Sequence, residues 1–156
     1  MNSFYSDANG RVHILHLSPG EDLLQGILDF IKQENIRYGV VMSGIGTLSK
    51  CRFHGVTTAH LPAHDEFYDI PDKPAEFAGL AGIIADYEPH LHMSLTIFDN
   101  GFQSVTAHLE PGCRVLCLAE ISILELDNVH MCRSMDENGI RQLNGHYLCT
   151  SSDAAK

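Results

Sequence analysis

Histidine is the residue type with the most chemical potential in this sequence. Ten histidines occur among 156 residues, and three of them flank one short turn: His90 and His92 in the segment PHLH, and His108 in the segment AHLE. Neutral imidazole nitrogens bind Zn²⁺ at about 2.0–2.1 Å, and Fe²⁺ or Mn²⁺ with less specificity. Whether these three side chains share one ion depends on how the chain between them folds.

Residues 91–109 are predicted to form a β-hairpin whose turn fixes the register. The segment DNG at 99–101 allows a three-residue turn, and its Asn-Gly pair alone allows a two-residue turn. The three-residue turn places one apolar layer towards the core, whereas the shorter turn mixes apolar and polar faces. We therefore expect the three-residue turn, in which like side chains are paired: Phe98 with Phe102, Thr96 with Ser104, Ser94 with Thr106, and His92 with His108.

This register would bring three imidazoles to one polar patch. Directly opposed residues have Cβ atoms about 4.5–5.5 Å apart and diagonal ones about 7–8 Å apart. His92 would face His108, and His90 would lie diagonal to it. Three protein ligands leave a coordination position for water or a small ligand, as in catalytic metal sites. The alternative is that the three histidines only line a solvated sheet face.

The elements that position this hairpin include one helix. Residues 10–17 alternate in polarity and predict a first strand. Ser18, Pro19 and Glu21 then form an S-P-x-E capping box, which predicts a helix from Ser18 to Asn35. Apolar residues follow at helical spacing: Leu23, Leu24, Ile27, Leu28, Phe30 and Ile31.

The remaining chain is rich in predicted strands and short turns. A loop is expected at 59–74, and a tight strand exit near the site is expected at Gly44 and Gly46. Gly79 and Gly82 mark points of bend or close approach. The sequence predicts an α+β fold with a curved antiparallel sheet or barrel of seven or eight strands and one long helix packed on it. After the first strand, these are expected at 38–42, 51–56, 76–85, 91–98, 102–109, 114–126 and 145–149.

Composition limits the classes of function. Lys and Arg total 10 against 20 for Asp and Glu, giving a net charge of -10. This charge disfavours direct binding to nucleic acid or to an anionic membrane. No basic region followed by an apolar run opens the sequence, which predicts a cytoplasmic protein. We expect a single domain over 1–149 with a flexible tail at 150–156.

The five cysteines and several polar residues leave alternatives open. The cysteines are odd in number and lack a C-x-x-C pair, which favours reduced, mostly buried thiols. Glu120 lies in an apolar strand, where it would act as a general base or orient a ligand histidine, or else face solvent or a subunit boundary. Arg114 would recognise an anionic substrate or lie on the surface. His54, His60 and His64 precede or occupy the predicted loop, either gating a substrate or serving no special role.

Several segments resemble the PPC domain (plant and prokaryote conserved) in its stand-alone prokaryotic form. They are GRVHILHLSPGEDL, the SGIG at 43–46, PHLH, and AHLEPGC, and the resemblance covers about 11–126. It implies a curved antiparallel sheet, a long helix and a homotrimer. Plant relatives carry a basic AT-hook that contacts DNA, and prokaryotic members are often labelled DNA-binding on that basis. This sequence has no Arg-Gly-Arg-Pro hook.

The arrangement of histidines is also similar to the zinc site of acetolactate decarboxylases, which share the general fold. This resemblance implies that His90, His92 and His108 are metal ligands. Glu88 and Ala107 stand where the family commonly has glycine. Ala107 keeps a small side chain, while Glu88 would either lie near the metal or be solvated.

Two functional hypotheses follow. The first is a trimeric domain that binds zinc, or else iron or manganese, and uses the open position for a small oxygen-bearing ligand, with regulatory or hydrolase- or lyase-like chemistry and Glu120 as the accessory carboxylate. The second is a non-enzymatic trimeric assembly or regulatory module that acts through protein partners.

Overall fold

The protein consists mainly of antiparallel β-strands. The structure is a computed structural model that describes residues 10–148, so the predicted tail at 150–156 lies outside the described residues. Within them, one helix and nine strands occur: β1 Val12–Leu17, α1 Leu23–Gln33, β2 Tyr38–Val56, β3 Asp65–Ile70, β4 Ala75–Ala85, β5 Glu88–Phe98, β6 Phe102–Leu109, β7 Arg114–Glu125, β8 Val129–Met135 and β9 Arg141–Tyr147.

The main sheet has seven strands. Six of them follow the order β1-β7-β2-β4-β5-β6, and the seventh, β3, pairs with β2. The last strand, β6, also pairs with the far end of β2. Strands β2, β4, β5 and β6 are therefore hydrogen-bonded in a cycle. The hairpin β8–β9 forms a separate two-stranded sheet. The predicted α+β class is confirmed, with nine strands where seven or eight were expected.

Helix α1 is shorter than the sequence predicted. It covers 11 residues, Leu23–Gln33, so the expectation of a long helix over 18–35 is wrong. The Gly20 N–H donates to the Val115 carbonyl at 2.9 Å, and the Val115 N–H donates to the Glu21 carbonyl at 3.0 Å. Because β7 engages this backbone, residues 20 and 21 cannot join the helical ladder.

The helix cap is displaced by one turn from Ser18 to Asp22. The Asp22 carboxylate accepts a hydrogen bond from the Gln25 N–H at 3.0 Å, which satisfies one of the free donors of the first turn. The Glu21 carboxylate does accept from the Ser18 N–H at 2.5 Å. The predicted capping contact thus forms inside the turn that leads into the helix.

Strand β2 is continuous over 19 residues and joins two strands that the sequence separated at 42 and 51. Gly44 and Gly46 lie inside it, so the predicted strand exit is wrong. A Cβ on Gly46 would lie 2.6 Å from the Leu118 carbonyl oxygen and 2.6 Å from the Phe77 ring. Glycine at this position therefore lets the neighbouring strands β4 and β7 approach β2 closely.

The region 59–74 is not wholly a loop, because β3 forms within it and pairs with the end of β2. Strand β8 was also missed, and the strand predicted at 145–149 is the end of β9.

Burial raises the pKa of the Cys51 thiol to about 11 and that of Cys113 to about 12, so both are inert thiols. Cys117 is exposed and Cys132 is half-buried.

The core fixes which way the β5–β6 hairpin faces. Helix α1 buries Leu23, Ile27 and Ile31 completely. The predicted apolar layer of β5 is also buried, and each such side chain stabilises the fold by about 1.5–3 kcal/mol. Its members are Leu91, Met93, Leu95 and Ile97. Because side chains alternate along a strand, this burial directs His90 and His92 to the opposite face.

The 11-residue α1 falls well short of the length that crosses a membrane, and residues 10–148 contain no other helical candidate.

Candidate metal centre

The register of the β5–β6 hairpin is the predicted one. His92 faces His108, and Phe98 faces Phe102 across a three-residue turn. Asn100 takes the left-handed conformation at φ 52° within this turn. Hydroxyl pairs form along the same face, with Ser94 and Thr106 oxygens 3.1 Å apart. The pairing of like side chains is therefore a property of the folded hairpin.

Three imidazoles converge on this face. The ring centroids of His90 and His108 lie 4.6 Å apart, those of His92 and His108 5.1 Å, and those of His90 and His92 5.4 Å. One ring nitrogen from each lies within 4.8 Å of the others. A tetrahedral ion about 2.0–2.1 Å from each nitrogen holds its ligands about 3.4 Å apart. Small side-chain rotations would close the cluster to that separation.

His54 belongs to the same patch, although the sequence placed it before a loop. It lies on β2 directly opposite His108, with ring centroids 4.5 Å apart. Its Nδ1 lies 2.7 Å from an Oε1 of Glu110, and His54, His108 and Glu110 form a second group whose ligand atoms lie within 4.8 Å of one another. His108 is thus shared by two possible donor sets.

One buried ring nitrogen in the cluster has no partner among the described residues. Nδ1 of His108 is buried and has no hydrogen bond within residues 10–148. An unsatisfied buried polar atom costs about 1–3 kcal/mol. Buried polar groups without partners often mark a place where an ion or water belongs. The donor set and this orphaned nitrogen both fit a divalent metal ion.

The surroundings keep these histidines neutral. Loss of solvent contact, followed by the neighbouring rings of His90, His54 and His92, lowers the pKa of His108 to about 4. Loss of solvent contact also lowers the pKa of His90, with Arg133 as the next cause, and that of His92. Neutral rings offer lone pairs to a metal ion at physiological pH.

The lowered pKa of His108 predicts a pH-dependent stability of the metal-free protein. Below pH 6.5 the unfolded chain binds a proton at this position that the folded chain binds only near pH 4. The free energy of unfolding should therefore fall as the pH decreases from 6.5 to 4, and the part of this slope that comes from His108 is at most about 1.4 kcal/mol per pH unit, the value for one proton. Urea unfolding of chelator-treated protein at several pH values measures this slope.

The matched variant is His108→Gln, which removes the titrating ring but keeps a polar side chain. His90, His92, His54 and Arg133 remain in both proteins, so they contribute to both pH profiles. We expect a shallower slope in the variant between pH 6.5 and 4. Identical slopes in the two proteins would mean that His108 does not titrate as described.

Glu120 is not brought to this cluster. It is exposed on β7, opposite His16 of β1 and Ile45 of β2. Nine positions of β2 separate Ile45 from His54, which is up to about 30 Å in an extended strand. A carboxylate that does lie beside the histidines is that of Glu110, in contact with His54. It was missed because the pairing of β2 with β6 has no local sequence signal.

Of the other candidates, His60, His64 and Arg114, neither histidine belongs to a donor group of the cluster. His60 and His64 are exposed in the segment before β3. Arg114 is exposed at the start of β7, where its guanidinium donates to the Gly20 carbonyl at 3.3 Å.

The β8–β9 hairpin borders the histidine patch. A cleft of about 220 Å³ lies beside His90, between α1 and this hairpin. Arg133 and Arg141 of the hairpin line it, together with Pro89. Glu88 is exposed, and its carboxylate pairs with Arg141 at 2.5 Å. Glu88 therefore links β5 to the hairpin.

The sequence matches a known domain family and two curated proteins. The profile of the Plants and Prokaryotes Conserved (PCC) domain matches residues 5–127. The chain is 32% identical over 115 residues to the bifunctional protein GlmU of Synechococcus sp. (strain JA-3-3Ab), covering 74% of this chain and 17% of that protein. GlmU of strain JA-2-3B'a(2-13) is 30% identical over 127 residues, covering 81% and 18%. The chain thus spans less than a fifth of the length of these curated relatives.

Solved structures share the architecture. A hypothetical protein from Salmonella enterica aligns with a TM-score of 0.75 and 20% identity, covering 92% of this chain and 99% of that one. A metal-containing protein from Archaeoglobus fulgidus aligns with a TM-score of 0.71 and 22% identity, covering 91% and 98%. A plant- and prokaryote-conserved protein from Pyrococcus horikoshii gives 0.71 and 23%, covering 92% and 96%.

Proposed function

Since the chain belongs to the Plants and Prokaryotes Conserved domain family, the domain that its sequence resembled, we propose that it binds a divalent metal ion through His90, His92 and His108. Zinc suits three neutral imidazoles best, with iron or manganese as the other candidates. The convergence of three outward-facing histidines around the unpartnered Nδ1 of His108 carries this proposal. The similar fold of the metal-containing A. fulgidus protein supports it.

Three protein ligands leave room for a small oxygen-bearing ligand. A metal ion in such a site polarises a carbonyl or lowers the pKa of a bound water, which suits hydrolase- or lyase-like chemistry. His54 contacts the His108 ring and is itself held by Glu110, so this pair orients the central ligand. Glu110 takes the accessory role that the sequence suggested for Glu120.

Assembly and location form part of the same proposal. A homotrimer in the cytoplasm, without direct contact to nucleic acid, fits the family and the net charge of -10. Exposed apolar side chains on the outer face of β2 and β7 suit a subunit boundary: Ile45 is 50% exposed, Leu116 42% and Leu118 36%. This surface is also the observation that favours the second candidate, a trimeric assembly module without a metal-dependent activity.

Elemental analysis of protein purified without a histidine tag tests the metal proposal. We expect one ion per chain in the native protein and in the control His60→Ala, whose side chain is exposed and belongs to neither donor group. After the same dialysis, His92→Ala should retain at most about a tenth of that metal, because the substitution removes a direct ligand.

A metal-free protein that also fails to bind added Zn²⁺ would contradict the proposal. If light scattering then showed an unchanged trimer, the assembly module would be the better description.

A further inference from the structure

The β8–β9 hairpin lies beyond residue 127, where the match to the family profile ends. It packs on the main sheet through a small apolar cluster formed by Ala85, Val129 and Met131, with Leu143 at its border. The hairpin also meets β5, the strand that carries His90 and His92, through the pair of Arg141 with Glu88. The hairpin therefore adds a wall to the histidine patch.

Two guanidinium groups project from that wall. Arg133 of β8 and Arg141 of β9 line the cleft next to His90. Both are close enough to contribute to the lowered pKa of His90. Two of the 10 basic side chains in a chain of net charge -10 thus meet at one edge of the candidate metal site.

Arg133 is the less satisfied of the two. Its Nε is buried and has no hydrogen-bond partner within the described part of the chain. Arg141 instead pairs with Glu88 at 2.5 Å. The carboxylate of Glu88 also acts on Arg133 over a longer range, but two guanidinium charges face one carboxylate here. Among residues 10–148, Glu88 is thus the carboxylate that these two guanidinium groups share.

We propose that Arg133 and Arg141 form an oxyanion subsite that holds a carboxylate or phosphate group of the ligand bound at the metal. This inference rests on the proposed metal function and names the class of its ligand. A planar guanidinium fork donates two parallel hydrogen bonds to such a group. An oxyanion would give Arg133 Nε the partner that it lacks, and it would lie in the cleft that His90, a proposed metal ligand, also lines.

The cleft also limits the size of the ligand. Its volume of about 220 Å³ is below the range of about 300–1,000 Å³ typical of sites for drug-sized molecules. Leu24 and Leu28 of α1 supply an apolar wall opposite the hairpin. A small organic anion with a short aliphatic portion fits these boundaries.

Titration of the zinc-loaded protein with acetate and with inorganic phosphate tests the subsite and separates the two groups. The readouts are the affinity from calorimetry and the ¹⁵N–¹H signal of Arg133 Nε, assigned by its loss in Arg133→Gln. We expect one of the two anions to shift this signal. Affinity for that anion should fall about 10- to 100-fold in Arg133→Gln, as expected for loss of a hydrogen bond to a charged group.

Two further variants serve as controls. Arg114→Gln removes an exposed arginine from another part of the sheet and should bind the anion as the native protein does. Arg133→Lys keeps the positive charge but lacks the paired donors of a guanidinium group. Its affinity for the anion should therefore lie between those of the native protein and Arg133→Gln. This variant also covers the case in which Arg133→Gln does not fold.

The outcomes distinguish the two proposals. If Arg133→Gln and Arg133→Lys keep their metal and bind the anion with native affinity, the subsite is wrong and the metal site stands. The subsite is also wrong if neither anion shifts the Nε signal of the zinc-loaded protein. If the native protein binds no zinc, elemental analysis shows this before any titration, and both proposals fail together.

Discussion

Replacement of His108 by alanine is expected to abolish stabilisation of the protein by zinc. His108 lies centrally in the cluster, with the rings of His54, His90 and His92 at 4.5, 4.6 and 5.1 Å. A ligand present at 100 times its Kd stabilises a fold by about 2.7 kcal/mol, which for a chain of this size raises the Tm by roughly 5–11 °C. Thermal unfolding of chelator-treated protein, with and without added zinc, should show this rise only when His108 is present.

The control is His16→Ala, which removes another strand histidine from an exposed position on β1. We expect it to keep the full zinc-dependent rise in Tm. A rise of native size in His108→Ala would show that zinc binds elsewhere on the chain.

The same assay decides which donor set holds the ion. His108 belongs both to the set with His90 and His92 and to the set with His54 and Glu110. If the first set is the site, His90→Ala should remove most of the zinc effect and His54→Gln should reduce it only in part. The reverse order would assign the ion to the second set.

The hairpin register could be predicted because all its determinants are local. A short turn joins β5 to β6, and a shift by one residue would have buried polar side chains and exposed apolar ones. The structure contains the predicted pairs, including His92 with His108. The three-histidine patch therefore followed from a segment of 20 residues read alone.

The position of His54 could not be predicted in this way. It reaches His108 through the pairing of β2 with β6, two segments more than 50 residues apart. The segment from Cys51 to Val56 indicated a strand, but its sequence pattern does not indicate which other strand pairs with it. The pairing of β2 with β6 closes the cycle of strands β2, β4, β5 and β6, and no local sequence pattern indicates it. The contact of Glu110 with His54 was missed for the same reason.

Helix α1 and the β8–β9 hairpin show two other limits. The motif at Ser18 has the composition of a capping box, yet the sheet binds Gly20 and Glu21 through Val115, and tertiary contacts override the local preference. The hairpin lies outside the resemblance over 11–126, so that resemblance gave no view of Arg133 or Arg141. The arginines that the hairpin adds to the site had to come from coordinates.

Substitution of Gly82 by alanine is expected to damage both the fold and the metal site. Gly82 was marked by its sequence position as a point of close approach, and it lies on β4 opposite Leu91 of β5. A Cβ there would lie 2.0 Å from the His90 carbonyl oxygen and 2.9 Å from a methyl carbon of Leu91. A backbone oxygen cannot yield as a flexible side chain does, so β5 must move at the residue that carries the ligand.

Overpacking of this kind costs about 1–3 kcal/mol of unfolding free energy. Urea unfolding of the metal-free protein measures that loss, and zinc affinity should fall with it because His90 is displaced. Gly55→Ala is the matched control, since a Cβ at this position on β2 meets nothing within 4 Å. It should leave stability unchanged or raise it by up to about 1 kcal/mol through a less flexible unfolded chain. Native stability and zinc affinity in Gly82→Ala would mean that β4 and β5 do not approach each other at His90 as the structure has them.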